Sequence, residues 1–175
     1  MNTKNEARNT HHQPLIHYVF ERCQQDKGFA ARLRRANNPA TEYQCWEVLG
    51  RFGLDLEHET KRRAHALVVA AVATSRAEKN GTLTLGKAIA ESFPEGSQSD
   101  QAKSRLNRLL ACDTVAEACQ ILRPLLSLIQ SRVTVPLDYE RLLSELTDFG
   151  YNKDRIRARW AQQFYASNKQ EATNV

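Results

Sequence analysis

The chain has little glycine and proline, seven and five in 175 residues. A β-sandwich or barrel needs a turn signal about every 8 to 12 residues, so this scarcity disfavours an all-β fold and points to helices. Long apolar runs are missing too. The most apolar stretch, Ala64 to Ala73, is interrupted by His65 and is half of the roughly 20 residues that a bilayer crossing requires; it reads as a core helix. There is no CxxC pair, and the spacing of Cys23, Cys45, Cys112 and Cys119 matches neither a zinc site nor a redox motif, which leaves reduced, partly buried thiols. Residues 1 to 13 (MNTKNEARNTHHQ) lack the apolar segment of a secretory signal and read as a disordered polar tail on a cytoplasmic protein. Walker, GxGxxG and GxSxG motifs are absent, and none of His11, His12, His17, His58 and His65 lies in a HExxH pattern. Nothing therefore indicates an enzyme, a metal or another cofactor. Aromatics make up 7%, and Trp160 and Phe164 fall on a core stripe, so stacking platforms for unpaired bases are not evident.

What is present is an ordinary globular balance, 41% hydrophobic and 26% charged. Periodicity and stop signals predict an all-α, two-lobed bundle of about nine helices. The first is expected to start at Pro14 and end near Asp26. A second covers Phe29 to Ala36, and a third is capped by Asn38, starts at Pro39 and ends at Gly50. The longest runs from Glu57 to Arg76, and a short one from Leu85 to Ser92 follows a Thr84 cap. The stretch FPEGSQS (residues 93 to 99) marks the expected boundary between an N-terminal lobe, 14–96, and a C-terminal lobe, 97–175. In the second lobe a helix spans Gln101 to Ala111. Thr114 and Glu117 form a capping box for the next, Pro124 starts or kinks a further one, and two more cover Leu137 to Phe149 and Asp154 to Ser167.

Net charge is only +5, but its distribution is uneven. Three windows hold no carboxylate: residues 27–41 with Lys27, Arg32, Arg34 and Arg35; residues 101–112 with Lys103, Arg105 and Arg108; and residues 155–170 with Arg155, Arg157, Arg159 and Lys169. The rest of the chain, with 14 basic and 20 acidic residues, is net acidic. Arg105 and Arg108 fall on the helix face opposite Leu106 and Leu109. Arg32, Arg34 and Arg35 crowd one turn, a repulsive arrangement unless a polyanion or a distant carboxylate neutralises it. By contrast, Lys61, Arg62 and Arg63 follow Glu57 and Glu59 at pairing distance and read as surface ion pairs. Arginine suits phosphate, because its planar fork donates two bonds in fixed geometry. Contacts of this kind read the nucleic-acid backbone, carry little sequence information and weaken with salt.

The order of three segments, GFAARLRRA (28–36), LTLGKAIA (83–90) and SRLNRLL (104–110), resembles the small subunit (CasB) of the type I-E CRISPR Cascade complex. Leu122-Arg123, then PLDYERLL (136–143), and Trp160 with Phe164-Tyr165 are similar to that family's C-terminal pattern, so the likeness spans residues 26 to 166. Two departures stand out: Pro124 where many relatives carry a second arginine, and Phe149 where they often carry tryptophan.

The resemblance implies a non-catalytic, all-helical protein present as two copies in an RNA-guided surveillance complex. Its partners would be the crRNA-bearing backbone subunits, the large subunit, crRNA, target DNA and the displaced single strand, whose R-loop it would stabilise. The family's basic positions map onto Arg34, Arg35, Arg105, Arg155 and Arg157. With their neighbours Arg32, Lys87, Lys103, Arg108 and Arg159 they form the expected nucleic-acid surface. The alternative is a helical adaptor whose basic windows bind acidic protein surfaces.

Overall fold

The computed structural model describes residues 3–166, with side chains from His12 onward. Ser167, the expected last residue of the final helix, and Lys169 lie outside the described residues, as does the side chain of His11. The described chain is all helical: α1 (Thr3–Gln25), α2 (Lys27–Arg35), α3 (Trp46–Arg51), α4 (Glu59–Thr74), α5 (Leu85–Glu91), α6 (Asp100–Leu110), α7 (Val115–Arg132) and α8 (Tyr139–Ala166).

Most of these helices start where a side chain captures an orphan amide. Asp26 accepts from the Phe29 amide at 2.9 Å and opens α2, and Ser99 accepts from Ala102 and opens α6. Thr114 accepts from the Glu117 amide at 3.2 Å, as the capping-box pattern predicts, while the Glu117 carboxylate takes the Asp113 amide at 2.8 Å. Asn38 caps as expected, but residues Pro39–Cys45 wind as a 3₁₀ helix before α3 begins. Thr84 stands at the N-cap of α5 without a side-chain capping bond.

Two boundaries differ from the sequence reading. α1 begins at Thr3, so the stretch expected as a disordered tail is helical from that residue, and Pro14 lies inside the helix. Residues 3–13 contain neither glycine nor proline, and an interior proline removes one donor without obliging the helix to start there. α7 likewise runs through Pro124 from Val115 to Arg132. The last two helices meet at a kink: α8 departs from helical geometry at Asn152 (φ −132°, ψ 31°), between the expected ends at Phe149 and Asp154. With α7 unbroken and the kinked α8 counted once, the described residues hold eight α-helices.

Buried side chains from both sides of residues 93–99 join a single core cluster. α8 is its centre, packing against α1, α4 and α5 as well as α6 and α7. The two lobes read from the sequence thus share one core. Trp160 and Phe149 are fully buried and stacked, with ring centroids 5.6 Å apart, so the phenylalanine at 149 serves as a core ring. The halves are also stitched through the backbone: Leu83 and Leu137 form an isolated parallel bridge, with Leu83 N donating to Pro136 O and Asp138 N to Leu83 O. Asn80 adds side-chain bonds to the Asp138 carboxylate and from the Tyr139 amide. Among the described residues no helix is long and apolar enough to cross a membrane.

Candidate nucleic-acid interface

The three basic windows lie on α2, α6 and α8, and in each the apolar periodicity decides which cations point outward. On α2, Phe29, Ala30 and Leu33 are buried. Arg32, Arg34 and Arg35 are left on the outer side, and their fates differ. Arg32 meets Glu47 at 3.4 Å, a carboxylate 15 residues away that neutralises part of the crowding. Arg34 turns back and donates from Nε to the Ala73 carbonyl at 2.9 Å, capping the C-terminus of α4, which has no basic residue in its own last turn. Arg35 is exposed and has no carboxylate partner among the described residues.

On α6, Ala102, Leu106 and Leu109 enter the core, while Arg105 and Arg108 are exposed. Both line a cleft of about 170 Å³ whose other wall is Gln120, Ile121, Pro124 and Leu125 of α7. Neither has a carboxylate partner among the described residues. Lys103 stands 3.9 Å from Asp100 and Lys87, on α5, 3.7 Å from Glu91, both loose pairs along their own helices.

On α8, Ile156, Trp160 and Phe164 form the buried stripe. Arg155 is exposed and unpaired by any described carboxylate. Arg157 is committed internally, with Asp113 at 3.2 Å, Asp154 at 3.4 Å and the Cys112 carbonyl. Arg159 lies 3.5 Å from Glu145, a buried carboxylate that also accepts from the Trp160 indole at 2.7 Å and from Arg141 at 3.3 Å. The windows are free of acids in sequence, but folding brings Glu47, Asp113 and Glu145 to them. Of the ten expected contact residues, Arg35, Arg105, Arg108 and Arg155 are the ones whose side chains have neither a described carboxylate partner nor, like Arg34, a described backbone acceptor.

The remaining polar groups serve the fold. Arg63 pairs with Glu59 as expected, whereas Arg62 reaches Glu42 at 2.7 Å and the Leu56 carbonyl at 2.6 Å. His58 caps α4, and His65 is buried with Nδ1 2.7 Å from the Lys61 carbonyl. No group of three or more His, Cys, Asp or Glu that could hold a metal occurs among the described residues. The four cysteines are free; burial pushes the Cys23 thiol up to about 11 and those of Cys45 and Cys119 up to about 12, so they stay protonated and unreactive near neutral pH.

Counting acid-free windows overlooks a second basic cluster. Arg22 of α1 and Arg51 of α3 join Arg32 around the rings of Tyr18 and Phe29. Asp26 follows Arg22 closely, and Glu47 and Asp55 flank Arg51, so local sequence charge hides both.

The fold agrees with that of known proteins. CasB of M. ruber superposes with a TM-score of 0.71 at 25% identity, covering 90% of this chain and 96% of its own. A CRISPR-associated protein of the Cse2 family from Thermus thermophilus gives 0.69 at 25% identity, with 86% and 96% covered. A chain of a CRISPR RNA-guided surveillance complex gives 0.74 at 20% identity, with 95% and 98% covered, a likeness of fold. Comparison with curated proteins gives no match. The model of the CRISPR-associated protein Cse2 matches residues 30–165, which take in all the helices from α3 to α7, most of α2 and all but the last residue of α8, and with it the chain belongs to the Cse2 family.

Proposed function

We propose that this chain is the non-catalytic small subunit of a type I-E CRISPR surveillance complex and that its exposed arginines hold nucleic-acid backbone. The observation that carries the reading is the set of four cations, Arg35, Arg105, Arg108 and Arg155, whose side chains have neither a described carboxylate partner nor a described backbone acceptor, while each of the other six has one or the other. Membership of the Cse2 family and the likeness to a chain of a surveillance complex support the setting. Its partners are the crRNA-bearing backbone subunits, the large subunit and a second copy of the chain, with crRNA, target DNA and the displaced strand as the polyanions. An R-loop exchanges one duplex for another of similar stability, so a few phosphate contacts decide how long it lasts.

The variant R35E/R105E/R108E tests this in a reconstituted complex. It avoids Arg34, whose loss would weaken α4. Assembly is expected to survive while the R-loop decays faster and more steeply with salt. Failure of assembly with acidic partner subunits would favour a protein-binding adaptor instead, and an unchanged R-loop lifetime would refute the phosphate contacts.

A further inference from the structure

The cluster of Arg22, Arg32 and Arg51 has a geometry unlike the open faces of α6 and α8. The three residues come from three different helices and surround a concave cleft of about 580 Å³. Aromatic rings hold the guanidiniums in place: Arg22 and Arg32 lie 5.4 and 5.9 Å from the Phe29 centroid, and Arg51 lies 5.0 Å from that of Tyr18. The Arg51 Nη1 also donates to the Tyr18 hydroxyl at 3.1 Å. Existing anionic contacts are weak: Asp26 stands 3.4 Å from Arg22, and Glu47, 81% exposed at its side chain, stands 3.4 Å from Arg32. Arg51 has no carboxylate partner among the described residues.

We propose that this cleft seats one unpaired nucleotide of a single strand, its phosphate held by Arg32 and Arg51. This deepens the functional reading above and rests on it. Guanidiniums braced on rings lose little freedom on binding, and their planar fork of donors suits a phosphodiester. Glu47 swings away at little cost, because an exposed pair at this distance contributes little stability. The concavity selects the ligand. A duplex carries its phosphates on a convex surface with the bases turned inward, whereas a single strand bends one nucleotide into the cleft, whose volume accommodates phosphate, sugar and base.

The test is fluorescence anisotropy of the full chain with labelled oligothymidylate and with duplex DNA of equal length, across a salt series, for the wild type, R32Q/R51Q and R35E/R105E/R108E. Both arginines of the first variant are exposed, and a melting curve confirms its fold. R32Q/R51Q is expected to weaken oligothymidylate binding about tenfold and lower its salt slope by about one, with duplex binding unchanged. An unchanged single-strand affinity, an equal loss on duplex, or displacement of oligothymidylate by an oligoglutamate peptide as readily as by unlabelled oligothymidylate would overturn the proposal. Single-strand binding that fails while duplex binding persists and is lost in R35E/R105E/R108E overturns the cleft alone. If the wild type binds neither nucleic acid, the cleft and the exposed-arginine reading fall together.

Discussion

Single side chains set the division between cations that build the fold and cations that remain for partners. Glu145 is the clearest builder. Its carboxylate is 3% exposed and engages Trp160, Arg141 and Arg159 together. Glu145→Leu leaves the Trp160 indole N–H buried without an acceptor and the two arginines without their acid, so it is expected to cost about 3 to 5 kcal/mol in urea denaturation. Arg34 works on a smaller scale. Arg34→Gln loses a charge-assisted bond at the end of α4 and should lower stability by about 1 kcal/mol, whereas Arg35→Gln, next to it in sequence, should leave the melting temperature unchanged. Such distinctions were not legible in the sequence, where the two arginines are equivalent members of one acid-free run. They depend on the Ala73 carbonyl, which only the tertiary fold brings to Arg34.

At the scale of elements, Gly86 fixes how closely α5 approaches α8. A Cβ there would collide with the Trp160 carbonyl oxygen and lie 2.7 Å from the Gln163 Cβ, while the Gly86 amide donates to Gln163 Oε1 at 3.1 Å. Gly86→Ala must push the helices apart, and overpacking of this kind costs about 1 to 3 kcal/mol or more in denaturant titration. By comparison Gly150, with open space around it, should accept alanine without loss. Helix identity was largely legible: the apolar stripes of α4, α6 and α8 and the caps at Asn38 and Thr114 appear where periodicity and spacing place them. Prolines misled at three ends. Pro14 and Pro124 lie within helices, and Pro39 opens a 3₁₀ turn rather than α3, because a local preference yields to the packing of the surrounding helix.

For the molecule as a whole, charge pairing links stability to acid. Asp26 is held below its ordinary 3.8, first by the Phe29 amide and then by the Gly28 amide and the charges of Arg22 and Arg32. Asp113 is lowered by hydrogen bonds from Lys153 and Arg157. A carboxyl with a depressed native value contributes stability that is complete above 3.8 and fades as the pH falls through the lower native value. Thermal melts are therefore expected to hold steady down to about pH 5 and to drop below about pH 4, with a shallower drop in Asp113→Asn. The basic surface was legible at this scale in outline: the segments 28–36 and 104–110 carry the resemblance and also supply Arg35, Arg105 and Arg108. The cleft of Arg22, Arg32 and Arg51 was not, because its members are scattered over three helices and interleaved with acids.

The bridge between Leu83 and Leu137, tightened by Asn80 on Asp138 and Tyr139, fastens the two ends of a long excursion that contains α5, α6 and α7. Since α8 then returns to pack on α1, α4 and α5, a protease cut within residues 93–99 would produce two fragments with no independent core of their own. They would remain clasped as a nicked, native-like heterodimer, and the same two pieces produced separately would fold only in each other's company.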